Sequence, residues 1–242
     1  MIFYAHMQFI KKHWLAKSIG LLIVVIIVIA CFWYYAKINK PIFPINANDT
    51  ITSWSFKGAY AGNDALIAQA HADITKLSGL VGKGQYPDYE IFVGIAQDYD
   101  FLGDGKDEFN YLEKAIKAGP TGGTAWNNMG VLMEKLGALN TARAAYAEAV
   151  TVEPSIGVYQ EAQARFLVAH FSQDTGAIET AFQTGIAKSA DPNLLPIEAD
   201  WLSSIGSTTA AIAAWKEFST YVASPSQLAS INIKIAQLKA KQ

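Results

Sequence analysis

Seven residues of this chain, Phe92, Ile95, Ala96, Tyr99, Gly103, Ala115 and Pro120, each have a counterpart of similar kind 34 positions later: Trp126, Met129, Gly130, Met133, Gly137, Ala149 and Pro154. A unit of that length cannot bury its own apolar face, so successive copies must stack and share one elongated core. Within each copy the apolar residues recur every three or four positions, the mark of a helix with one buried stripe. A glycine in the middle separates two such stripes, and a proline closes the second by removing a backbone donor. No alternating pattern competes with this anywhere in the chain. The repeat therefore predicts stacked helical hairpins.

The clearest copy, Ala125 to Pro154, carries Trp126, Met129-Gly130, Met133, Gly137, Ala142, Tyr146, Ala149 and Pro154. Small residues (Gly130, Ala142, Ala149) stand where two helices approach closely, and large ones (Trp126, Tyr146) fill the space beside them. This arrangement resembles the tetratricopeptide repeat. Met129 and Met133 replace the Leu and Tyr more usual there, and both keep an unbranched apolar side chain at a packed position. The copy at 89–122 departs further, with Glu108 and Leu112 where the family has an alanine and an aromatic residue. The resemblance implies an all-α solenoid of helical hairpins.

Along the chain, the sequence predicts a cytoplasmic tail at 1–17, a transmembrane signal-anchor helix at 18–36, a linker at 37–50 and an N-terminal helical segment at 51–88. Two regular repeats follow at 89–122 and 123–156, then two less regular pairs at 157–192 and 193–225. In the helical segment Asn63 reads as an N-cap, with Leu66, Ile67, Ala70, Ile74 and Leu77 on one stripe. Ser224-Pro225-Ser226 caps a last helix at 226–242, carrying Leu228, Ile231, Ile233, Ile235 and Leu238. Such a helix closes a solenoid, and its broad apolar set is a candidate surface for self-association.

The anchor prediction rests on residues 18–36, which hold no charge; eleven are Leu, Ile, Val or Phe. As a helix the run spans roughly 28 Å, near the hydrocarbon thickness of a bilayer. Trp14 and Trp33 to Tyr35 flank it like interfacial aromatic belts, and Lys11, Lys12 and Lys17 precede it against Lys37 and Lys40 after it. The N-terminus is accordingly expected in the cytoplasm and the C-terminal domain outside it. Cys31, the only cysteine, also fits a loose lipobox with Val28, Ile29 and Ala30, in which case the segment is cleaved and the cysteine lipidated. The uncleaved anchor is preferred because apolar residues continue past the cysteine to full bilayer length. A single cysteine allows no internal disulfide, so packing must hold the domain together.

Residues 38–242 carry 15 basic and 21 acidic side chains. That mildly acidic balance does not suit nucleic acid or an anionic lipid surface. His6, His13, His71 and His170 are isolated from one another, so no metal site is expected. The acidic cluster Asp98, Asp100, Asp104, Asp107 and Glu108 lacks calcium-loop spacing and reads as a turn, with Asp107 and Glu108 favouring a helix N-terminus. No phosphate loop or nucleophile elbow is present, and neither catalytic residues nor cofactors are predicted.

What remains is binding. In the family, the first helices of successive repeats line a groove for extended peptides or partner helices. By motif position the resemblance places Glu90, Val93, Gln97 and Asp100, then Thr124, Asn127, Val131 and Glu134, on that face, and Arg165 of the third pair is added to it. Asn127 is singled out because an amide can both donate to and accept from a peptide backbone. Val93 stands where chaperone-binding members carry a basic clamp, so a carboxylate clamp is not implied. The predicted role is a non-catalytic, membrane-anchored, extracytoplasmic scaffold for a protein partner in envelope assembly, secretion or translocation. A self-assembling structural solenoid is the alternative.

Overall fold

The computed structural model describes residues 25–33 and 42–240, in two compact units, Met1–Pro44 and Ile45–Gln242. In the first unit residues 25–33 are helical, and Val25 to Ile29, Phe32 and Trp33 are exposed. Most of the expected 18–36 span lies outside the described residues. Among those described, no helix is long and apolar enough to cross a membrane.

The second unit is built from ten helices among the described residues: α1 (Asp64–Ser78), α2 (Asp88–Leu102), α3 (Gly105–Ala118), α4 (Gly123–Lys135), α5 (Leu139–Val152), α6 (Gly157–His170), α7 (Thr175–Ser189), α8 (Leu194–Ser204), α9 (Thr208–Ser219) and α10 (Pro225–Lys239). No strand is present among the described residues, only an isolated bridge between Ser55 and Asp104. Helices α2 to α9 form four hairpins, α1 packs on α2, and α10 packs on α9. The first helices α2, α4, α6 and α8 touch in succession, while the second helices α3, α5, α7 and α9 make no comparable contact with one another. A stack closer on one side than the other curves, with its first helices on the inner side.

The core follows the repeat pattern. Ile95, Leu112, Ala115, Met129, Leu132, Met133, Ala142, Ala145 and Ala149 are fully buried. Truncating a large member such as Leu112 to Ala costs about 2–5 kcal/mol by the usual cavity argument. Gly130 shows why a small residue is needed there: a Cβ on it would lie 2.7 Å from the Tyr146 ring. Gly103 turns α2 into α3 with φ 79°, and a Cβ on it would meet the Phe56 carbonyl oxygen at 2.1 Å.

That last contact introduces a strap ahead of the repeats. The Phe56 and Tyr60 amides donate to the Gly103 and Phe101 carbonyls at 3.1 and 3.0 Å, and the Gly105 amide donates to the Trp54 carbonyl at 2.8 Å. Further up the chain, Asp49 reaches α5, whose own N-cap residue, Ala138, has no side chain to offer. The Asn140 and Thr141 amides donate to the Asp49 carboxylate at 3.2 and 2.7 Å, and the Thr141 hydroxyl donates at 2.6 Å. The Asn46 amide in turn donates to the Thr141 hydroxyl at 2.9 Å. The end of the expected 37–50 linker is thus a fastened part of the solenoid. Pro44, Asn46, Asn48 and Asp49 stand in this non-helical course, with a turn at 47–48.

Candidate functional site

The residues expected on the inner face belong to three first helices: Glu90, Val93, Gln97 and Asp100 to α2, Thr124, Asn127, Val131 and Glu134 to α4, and Arg165, added from the third pair, to α6. Spacings of three and four keep each set on one side of its helix. Glu90, Thr124 and Arg165 are exposed, and the other six are half-buried.

Several of these side chains tie neighbouring helices together. Asp100 on α2 is ion-paired with Lys135 on α4. Glu134 accepts from the Tyr146 hydroxyl at 2.8 Å, and its other oxygen lies 2.8 Å from Nε2 of His170 at the end of α6. The Thr124 hydroxyl shares a 2.8 Å hydrogen bond with the Tyr159 hydroxyl. His170, isolated in sequence, is therefore a link between repeats. Arg165 reaches only Glu161, one turn away on an exposed surface, at 3.5 Å, a pair worth little to stability.

Asn127 differs from these. Its side-chain carbonyl oxygen is out of contact with solvent and has no hydrogen-bond partner. Val131 follows it one turn later on the same side of α4.

Two residues that sequence reasoning did not place here complete a small pocket. Gln97, Asp100, Glu108, Asn128 and Val131 enclose about 50 Å³ between α2 and α4, above the first turn of α3. Glu108 is 3% exposed, and its Oε2 has no partner. By sequence Glu108 stands beside Asp107 at the start of a helix, where an acid favours the dipole. Asp104 instead caps α3, accepting from the Asp107 amide at 3.1 Å, and Glu108 turns inward. Burial pushes its carboxyl up to about 8, Asp100 adds to that, and Lys135 opposes it. The available signal was the departure from the repeat pattern, because Glu108 sits 34 positions before the fully buried Ala142.

A larger groove of about 710 Å³ opens on the other side, where α5 and α7 stand apart over α6. Ala147, Gly176, Ala177 and Thr180 are among its lining. At its edge Arg143 is held by Asp174 at 2.6 Å and lies over the Phe171 ring at 4.8 Å. The last helix, expected to present an apolar surface, buries Ile231, Ile235 and Leu238 in a core with Ala211 and Trp215, and leaves Ile233 exposed. Among the described residues, no three His, Cys, Asp or Glu side chains are grouped to hold a metal ion.

No family model matches the sequence, and no curated protein matches it. Solved structures do resemble it. PilF of Pseudomonas aeruginosa aligns with a TM-score of 0.52 at 13% identity, over 73% of this chain and 86% of its own. A tetratricopeptide repeat protein from Parabacteroides merdae aligns at 0.52 and 12% identity, over 74% of this chain and 73% of its own. A MamA structure aligns at 0.51 and 15% identity, over 72% of this chain and 93% of its own. At such identities the likeness is one of fold.

Proposed function

We propose that this chain, whose fold is that of the tetratricopeptide repeat, is a non-catalytic scaffold that captures an extended segment or helix of a protein partner on the face formed by α2 and α4. The observation that carries the reading is the orphaned carbonyl of Asn127. An unpaired buried acceptor costs about 1–3 kcal/mol in the free protein, and turning the half-buried Asn127 side chain outward to accept from a partner's backbone N–H removes that cost. Val93 and Val131, both half-buried, offer apolar footing beside it. The polar residues tied between helices hold α2, α4 and α6 in register, so the face is set before a partner arrives.

The scaffold stands outside the cytoplasm in this proposal, held by a membrane span at residues 18–36. The support is the uncharged, apolar character of that run and the excess of lysine before it. Lipidation at Cys31, which is exposed in the helical stretch, is the competing mode of attachment and leaves the domain on the same side. The partner then belongs to envelope assembly, secretion or translocation.

Photo-crosslinking in living cells tests the face directly. A photoreactive amino acid at Val93 or at Val131 is expected to give one shared crosslinked protein, and the same group at Ala144, exposed on α5, is expected to give none. Crosslinking from Ala144 alone would move the site to the outer side of the stack.

A further inference from the structure

The scaffold reading leaves one buried group unused. Glu108 occupies the repeat position of Ala142, where the second repeat has a methyl packed to complete burial. A carboxylate at such a position must either find partners or strain the core. Its Oε2 finds none. The cation that acts on it, Lys135, is already engaged, being paired with Asp100 and lying 4.9 Å from the centre of the Phe56 ring. Glu108 instead borders the 50 Å³ pocket on the face of α2 and α4.

The acceptor set of that pocket is specific. Gln97 gives an amide hydrogen to Asp100 at 3.5 Å, which leaves its carbonyl oxygen as an acceptor. Asp100, Asn128 and Glu108 bring further oxygens, and Val131 forms an apolar wall. The space holds a few water-sized groups. Oxygens arranged around so small a space suit a compact –NH₃⁺ group, with three donors and no preferred plane. The flat, forked guanidinium of arginine needs a wider, planar acceptor.

We propose that this pocket takes a primary ammonium group, the head of a lysine side chain on the partner segment lying along α2 and α4, with Glu108 as its counter-ion and Gln97, Asp100 and Asn128 as further acceptors. The assignment deepens the scaffold reading and rests on it for the source of the lysine. Charge balance supports the fit. In the free protein burial keeps Glu108 largely protonated at neutral pH, and Lys135 balances Asp100. Entry of an ammonium releases the Glu108 proton to solvent, so the net charge of the pocket is unchanged and the buried carboxylate gains a counter-ion. Val131, already on the proposed contact face, flanks the path of the lysine stem.

The probe is methylammonium chloride, added to the full-length chain carrying ¹³C-labelled glutamate carboxyls, with tetramethylammonium chloride at equal ionic strength as the control. The Glu108 resonance is identified by its loss in Glu108→Gln. Linkage predicts that methylammonium lowers the Glu108 titration midpoint by about one pH unit for each tenfold rise in concentration above its dissociation constant. Tetramethylammonium, without donors, is expected to leave the midpoint in place. Gln97→Leu and Asn128→Leu keep Glu108 and are expected to weaken the response severalfold. A midpoint that moves equally in both salts, or an undiminished response in both Leu variants, would overturn the assignment. Failure here leaves crosslinking from Val93 and Val131 untouched, whereas a methylammonium response without any crosslinked partner would sink the scaffold reading and keep the pocket.

Discussion

A single substitution within a repeat, glutamate where the next copy has alanine, changes what the surrounding residues can do. Glu108 is 3% exposed and its carboxyl is pushed up to about 8 by burial, with Asp100 adding and Lys135 opposing. An unfolded glutamate titrates near pH ~4.3. Between those values the folded chain holds a proton that the unfolded chain has released, so the stabilising contribution is full at low pH and is lost as pH rises toward 8. Chemical denaturation is therefore expected to show the protein losing on the order of 3 kcal/mol between about pH 5.5 and 8.5, and Glu108→Gln is expected to flatten that slope. Burial also raises Asp98 and Glu198, with help from Asp73 and Glu217 respectively. Both remain in the variant, so the difference between the two profiles isolates Glu108. Parallel profiles would show that Glu108 is ionised in the folded protein throughout. From sequence alone Glu108 read as an acid favouring a helix N-terminus, because helix-start position and inward orientation share the same local pattern. Only the contrast with Ala142 one repeat later pointed inward.

At the scale of elements, the helices were legible and their fastening was not. The stripe from Leu66 to Leu77 matches α1, where Asn63 caps by accepting from the Leu66 amide at 3.2 Å. Ser224 accepts from the Gln227 amide at 3.5 Å at the start of α10, with Pro225 in its first turn. These signals are local, and sequence carries them well. The cap of α5 is different, because Asp49 supplies it from 91 residues away, and no periodicity or spacing announces such a partner. Burial raises the Asp49 carboxyl, but hydrogen bonds from Thr141 and Asn140 outweigh that and hold it below its ordinary value. Asp49→Ala removes those acceptors and is expected to cost about 1–2 kcal/mol, as the loss of an ordinary N-cap does. For a chain of this size that lowers Tm by about 2–4 °C per kcal/mol. Faster amide exchange at Asn140 and Thr141 should accompany it. Unchanged exchange at both would mean that α5 holds its first turn without the strap.

For the molecule as a whole, the 34-residue repeat made the solenoid legible, and solved structures of the same fold agree with it. The candidate face was only half legible. Motif position named Asn127 and Val131, which have an orphaned carbonyl and a partly open surface, and equally Asp100, Thr124 and Glu134, which are engaged in ties between helices. Position along a helix decides which way a side chain points, and it says nothing about a tyrosine or lysine on the next helix reaching the same spot. Glu108 and Asn128 escaped for a related reason, since the pocket they border exists only once two repeats are stacked. The proposed binding face for a partner protein is the inner side of α2 and α4. The measurement that meets it most directly is affinity capture from native membranes with the full chain, wild type against Asn127→Ala, with bound proteins identified by mass spectrometry and folding checked by circular dichroism. A partner retained by wild type and reduced at least about tenfold, or about 1.4 kcal/mol, in a fully helical Asn127→Ala is the expected outcome. Equal recovery by both proteins would contradict it.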